Sequence, residues 1–443
     1  MSSFMNLMKN EYIKIYKKTS TRILLVIFLA VCICFAPLMK LINVLAIKEL
    51  GLDYDTAAMH AEEIEDQKKT LEKAADDSDD PQLIAAKLEM CDAVDTESEW
   101  QFRALVKAMA SQEKQEVQML TMFCTLDDWR GFCSYSADNA YSEGEKWSYE
   151  YKLKHDIGYG EEYEKQNAII DSVAAAMNGE TETGLGGSGL SDTDMVAIGK
   201  YQLENEIYDN TSTKGGSLLN IAIDTDLGFW DVFLKSPFIV TLIGVVMVVL
   251  AGSTVAGEFS QGTIKFLLIN PVTRGKILTA KYLTVLSMGI LMIITLMVVN
   301  IPMIGICFGF DGFSAPYLAV KDGEVIKQSS FVYLFKLYML ASVEIIVTTT
   351  LSFMISSLLR STALAIVSGF VVRSIGPSIV SIMGMLKLDW GRYFIFANTD
   401  VLAISNGEST FPQHTVGFAL GVVAVHLVVF LLTAWDGFTR RSV

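Results

Sequence analysis

Histidine and cysteine are scarce and scattered in this chain, and that excludes most metal chemistry. The four histidines, His60, His155, His414 and His426, lie far apart, and no CxxC or His/Cys pairing at zinc spacing occurs. The six cysteines form no disulfide framework. Cys32, Cys34 and Cys307 fall in or beside long apolar runs, where cysteine behaves as a small apolar residue. Cys91, Cys124 and Cys133 are an odd set, in which Cys124 and Cys133 are the nearer pair for a bridge. No GxxxxGK[ST] loop is present, so the chain has no phosphate cradle of its own. Gly184–Gly189 satisfies GxGxxG in letters, but it follows no strand and opens no helix, and it reads as a linker. The acidic run Asp76–Asp80 lacks the ligand spacing and glycine of an EF-hand and reads as a solvated surface. The sequon at Asn210 has meaning only in a secretory-pathway host. No enzyme activity, cofactor, metal or nucleic acid is therefore expected on the chain itself.

Charge is also missing, but only from certain stretches. Residues 43–235 hold 40 acidic and 16 basic side chains, whereas the rest of the chain holds 10 acidic and 19 basic ones. Two chemically different bodies follow: an acidic hydrophilic domain and an apolar body with a basic excess. A bilayer core of about 30 Å takes roughly 20 apolar residues in a helix. The apolar body supplies six such spans, at 23–42, 236–257, 282–310, 331–359, 361–386 and 414–435. The expected fold is an all-α integral membrane protein, with a mainly helical domain, 43–235, inserted between the first and second spans.

Lysine and arginine flanking the spans give the orientation. Lys9, Lys14, Lys17, Lys18 and Arg22 precede the first span. Lys265, Arg274, Lys276 and Lys281 lie between the second and third, Arg360 between the fourth and fifth, and Arg440 and Arg441 in the tail. Six spans bring all four segments to one side, the cytoplasm. Both termini (1–22 and 436–443) are then inside, and the acidic domain, the 311–330 loop and the 387–413 segment are outside. The first span resembles a signal peptide in length, but no small-residue cleavage pattern follows Pro37, so it is expected to be retained as an anchor.

Residues 1–22 are expected to carry an amphipathic helix on the inner leaflet. Phe4, Leu7, Met8, Tyr12, Ile15 and Tyr16 fall on one half and Lys9, Asn10, Lys14 and Lys17 on the other. In the acidic domain the runs 57–75, 98–122 and 193–209 have helical spacing, and no sustained strand alternation occurs. Residues 387–413 carry Trp390, Tyr393, Phe394, Ile395 and Phe396, dense enough for an interfacial belt or a re-entrant piece. Gly305/Gly309 and Gly417/Gly421 have the GxxxG spacing of close helix packing.

Only Glu344 and Arg373 are charged deep within spans. Such a charge costs at least about 2.5–3.5 kcal/mol at the bilayer centre, so it needs a partner or water. The fourth and fifth spans are neighbours through the short turn at Arg360. Glu344 and Arg373 are therefore expected as an intramembrane polar pair, either structural or lining a pathway.

The segment 258–281 is too polar to span and too regularly apolar for a plain loop. It reads Glu258-Phe259-Ser260-Gln261-Gly262-Thr263-Ile264-Lys265, then Pro271-Val272-Thr273-Arg274, then Lys281-Tyr282. With Asn10-Glu11 and Lys14 near the start, this pattern resembles the permease subunits of ATP-binding-cassette (ABC) exporters of the type-two export class. The resemblance covers the N-terminal helix, the spans and the connector; the long acidic domain goes beyond the family's minimal pattern. It implies a dimer of permeases in a Gram-positive cell membrane, each engaging a separate cytoplasmic ABC ATPase that binds the ATP and magnesium. Glu258, Phe259, Gly262, Thr263, Lys265, Pro271 and Arg274 would then form a coupling helix. The substrate is left open among peptide antibiotic, amphiphile and cation. The alternative is a non-transporting membrane receptor or sensor that uses the acidic domain to bind a ligand or partner.

Overall fold

The computed structural model describes residues 2–50, 55–75, 80–179, 191–209, 227–263, 272–321, 323–405 and 409–440. It divides into two compact units. One contains residues 1–40, 228–311 and 331–443, and the other contains 41–227 and 312–330.

The first unit is a helical membrane body. Six helical stretches that lie in it wholly or for the most part are long and apolar enough to cross a bilayer: Thr19–Glu49, Phe229–Thr254, Arg274–Phe308, Ser330–Leu358, Thr362–Met385 and Val416–Thr439. Large apolar side chains on these helices stay exposed, among them Val26, Val298, Val332, Leu364 and Leu432. Contiguous apolar surface of that kind is stable in lipid and not in water. We name α1 (Ser2–Lys17) and α2 (Thr19–Glu49), which meet at a one-residue break at Lys18. The second span begins as a short helix, Phe229–Phe233, and a 3-10 turn, Ser236–Ile239. It continues as a fifteen-residue helix, Val240–Thr254.

The third span differs from expectation at its start. Its helix begins at Arg274, so Lys281 does not open it but sits two turns inside. Gly305 packs on the Phe310 ring, where a Cβ would come within 2.0 Å, and Gly309 closes the helix with φ +81°. Gly417 and Gly421 have nothing within 4 Å of a would-be Cβ. The segment after the fifth span forms two 3-10 turns, Asp389–Tyr393 and Ile395–Asn398, and a short helix, Val401–Ser405. Buried Asn398 holds it together, donating to the carbonyls of Arg392 and Phe394 at 2.8 Å and meeting His414 Nε2 at 2.9 Å.

The second unit is mostly helical. Local chemistry sets its element ends: Asp80 caps Pro81–Ala93 by accepting from the amides of Gln82 and Leu83, with Pro81 at the first helical position. The 98–122 run is two helices, Glu99–Ala110 and Lys114–Leu126, because Ser111 is extended and its hydroxyl accepts from Glu113 N at 3.0 Å. Its core gathers Met90, Trp100, Leu105, Leu120 and Phe132. Cys91, Cys124 and Cys133 are buried there as free thiols. Burial pushes the thiols of Cys124 and Cys133 up to about 12 and about 11.

One element departs from an all-helical architecture. Pro316–Lys321 and Glu324–Ser329 form an antiparallel hairpin, with Lys321 opposite Glu324 and Gly323 at φ +85° in the turn. The two-residue Asp-Gly connection favours such a turn. The loop expected as a separate piece thus belongs to the same unit as the acidic domain. Asp76–Asp79, Gly184–Gly189 and the Asn210 sequon lie outside the described residues.

Candidate functional site

The second span ends in a discontinuity that a single hydroxyl stabilises. Ser356 Oγ accepts from Val255 N at 3.1 Å and Ala256 N at 2.9 Å and donates to the Gly252 carbonyl at 2.6 Å. Backbone donors freed by the break are thereby satisfied by a neighbouring helix, as buried amides require. A short helix, Ala256–Ser260, follows. Gly262, at φ +68°, then takes the left-handed conformation that glycine adopts without a Cβ penalty.

The Ala256–Ser260 helix sets Glu258 among basic groups. Its Oε1 lies 2.8 Å from Lys14 Nζ and 3.1 Å from Lys281 Nζ, and Thr263 donates to its other oxygen. Lys281 Nζ also reaches Glu11 Oε2 at 2.7 Å, and Lys14 reaches Glu11 Oε1 at 3.4 Å. Two carboxylates and two ammonium groups from α1, the connector and the third span thus form one closed network. Lys281 is 1% exposed, and the two carboxylates offset the water it has lost. Burial alone would raise the Glu258 carboxyl, but Lys281, Lys14 and Thr263 outweigh it and hold Glu258 down to about 2. Burial likewise opposes the Lys14 ammonium, and the bond to Glu258 reverses this, leaving Lys14 above its usual range. Tyr12 bonds Ser287, which adds a second contact between α1 and the third span.

The other sequence candidates take different places. Phe259 is half-buried beside Glu258. Arg274 heads its helix and donates to the Thr439 carbonyl at 3.2 Å, so a cation meets the negative end of the last helix. Lys265 and Pro271 lie outside the described residues.

Glu344 and Arg373 are brought together. Arg373 Nη2 lies 2.7 Å from Glu344 Oε1 and donates to the Thr241 carbonyl at 3.0 Å. Gly244 leaves the room: a Cβ there would stand 2.3 Å from Arg373 Nη1. Among the described residues no group of three or more His, Cys, Asp or Glu could hold a metal.

The pairing of Glu11 with Lys281 and the role of Ser356 were not legible in the sequence. A lysine two turns inside an apolar helix was the available signal for the first. A serine in a span signals nothing by itself.

Residues 208–443 match the family described as "Protein of unknown function (DUF2705)". The chain is 33% identical over 226 residues to the "Uncharacterized protein YhcI" of Bacillus subtilis (strain 168), over 51% of this chain and 72% of that one. It is 28% identical over 226 residues to the "Uncharacterized membrane protein YdbK" of the same organism, over 50% of this chain and 87% of that one. No solved structure matches the chain. Since the matched residues make up more than half of the sequence and include five of the six spans, the protein belongs to the DUF2705 family.

Proposed function

We propose that the protein is the membrane permease subunit of an ABC exporter, with residues 258–281 as the element on which a separate cytoplasmic ATPase acts. The observation that carries this reading is the Glu11–Lys281–Glu258–Lys14 network. It ties the start of the connector to the N-terminal helix and to the third span. A push on the connector is then delivered to that span instead of being absorbed at the Gly262 turn. On this reading both termini are cytoplasmic, the acidic domain is outside the cell membrane, and two permease subunits pair. The Glu344–Arg373 pair, with its bond to the Thr241 carbonyl, braces the second, fourth and fifth spans.

Copurification tests it. Coexpressed with its ATPase, the chain is expected to form a stable complex whose ATPase activity falls on Phe259→Ala or Lys265→Ala. A chain that purifies alone, with no ATPase contact, would instead support a receptor or sensor built on the acidic domain. Susceptibility of cells with and without the protein to cationic peptides and to sodium would separate the substrate classes.

A further inference from the structure

The charge network borders a cavity of about 710 Å³ between α1, the end of the second span and the start of the third. Lys14, Lys17, Lys18 and Lys281 line it, against Glu11 and Glu258. Four ammonium groups therefore face two carboxylates, and both carboxylates are already engaged by Lys14 and Lys281. Lys18 forms no ion pair among the described residues, although it is half-buried and lies at the break between α1 and α2. Burial, and then the neighbouring Lys281, lower its pKa, and the more distant carboxylates of Glu258 and Glu11 offset this only in part. Lys17 stands exposed on the same rim. The remaining wall is mixed: Ile13, Leu250 and Ile277 are apolar, while Thr21 and Gln261 are polar.

The position matters as much as the charge. The cavity is built mainly from α1 and the connector residues 257–263, closed by the last turn of the second span and the first two turns of the third. The helices Phe229–Thr254 and Arg274–Phe308 are long and apolar enough to cross a bilayer, and the cavity sits at the polar end of each, where lipid headgroups meet such helices. We propose that it binds the phosphate headgroup of an anionic phospholipid, with Lys17 and Lys18 on the phosphate and Ile13, Leu250 and Ile277 against the first acyl carbons. A small inorganic anion would use the ammonium groups but leave the apolar wall unmatched. A zwitterionic lipid would bring its own cation against the excess positive charge. The site stands on the α1 cavity alone and does not depend on the exporter reading.

The test uses the full chain purified in detergent and follows its thermal midpoint with short-chain phosphatidylglycerol, phosphatidylcholine of equal chain length, or inorganic phosphate. Phosphatidylglycerol is expected to raise the midpoint, and the other two to leave it unchanged. Lys17→Gln with Lys18→Gln should weaken phosphatidylglycerol binding at least tenfold, whereas Lys276→Gln, exposed outside the cavity, should leave it unaltered. Equal responses to the two lipids, full binding by the double variant, or a response to inorganic phosphate as large as that to phosphatidylglycerol would each overturn the proposal. Should the double variant not fold, native mass spectrometry of the unmodified protein from a mixed-lipid membrane decides. Retained phosphatidylglycerol supports the site, and lipid retained in bulk proportions overturns it.

Discussion

Lys281 Nζ lies 2.7 Å from Glu11 Oε2, joining the third span to a helix that the chain laid down far earlier. Lys281 is 1% exposed, and among the described residues its ion-pair partners are Glu11 and Glu258. Breaking one member of such a set costs about 3–5 kcal/mol, because the partners remain buried without compensation. Lys281→Met should therefore lower the thermal stability of the purified protein sharply. Adding Glu11→Gln and Glu258→Gln should restore most of the loss. A triple variant as unstable as Lys281→Met would show that Lys281 acts through packing alone.

The same network sets a pH dependence. Glu258 is depressed from 4.5 to about 2 in the folded protein. Its stabilising contribution is therefore fully present above pH 4.5 and is lost as pH falls from there toward 2. Lys14 is raised above 10.5, so its contribution is complete below that pH and disappears as pH climbs through the higher folded value. The stability difference between the unaltered chain and Glu258→Gln should be flat at neutral pH and shrink below pH 4.5. A difference that already shrinks between pH 7 and 5 would contradict the geometry.

Arg373 and Glu344 should behave as a coupled pair. Arg373→Met leaves Glu344 without its cation and is expected to cost more stability and yield than Arg373→Met combined with Glu344→Leu. Gly244→Ala should act in the same direction, by about 1–3 kcal/mol, since its Cβ would displace the guanidinium. Glu344→Gln and Arg373→Gln that fold normally but lose export would place the pair in the transport route. Full export by both would confine it to a structural role.

Ser356→Ala should loosen the break between the second span and the connector. Two buried amides, of Val255 and Ala256, lose their acceptor, at about 1–3 kcal/mol for each buried group left unpaired. Hydrogen exchange is expected to quicken at those two amides and not in the middle of the Val240–Thr254 helix. Unchanged exchange would mean that other acceptors take over.

The sequence by itself determined the membrane body, because a span is a local property: some twenty residues without charge either satisfy the bilayer or do not. The runs that named six spans are the runs that became six long apolar helices, with ends shifted by up to two turns where Arg274 and Thr19 extend the helix into polar sequence. The Glu344–Arg373 pairing was legible too, since two lone charges on neighbouring spans have little else to meet. The hairpin at 316–329 was missed because its alternation is weak and half-exposed, although Asp322-Gly323 marked its turn. Tertiary structure alone decided that Glu11, Lys14, Glu258 and Lys281 form one site. Their separations in sequence carry no information about distance. Only the fold of α1 against the third span, and the break at the end of the second span that starts the Ala256–Ser260 helix, bring the four charges within reach of one another. What the sequence marked as a polar interruption between two spans is, in three dimensions, an ionic joint whose electrostatics depend on burial, which composition cannot report.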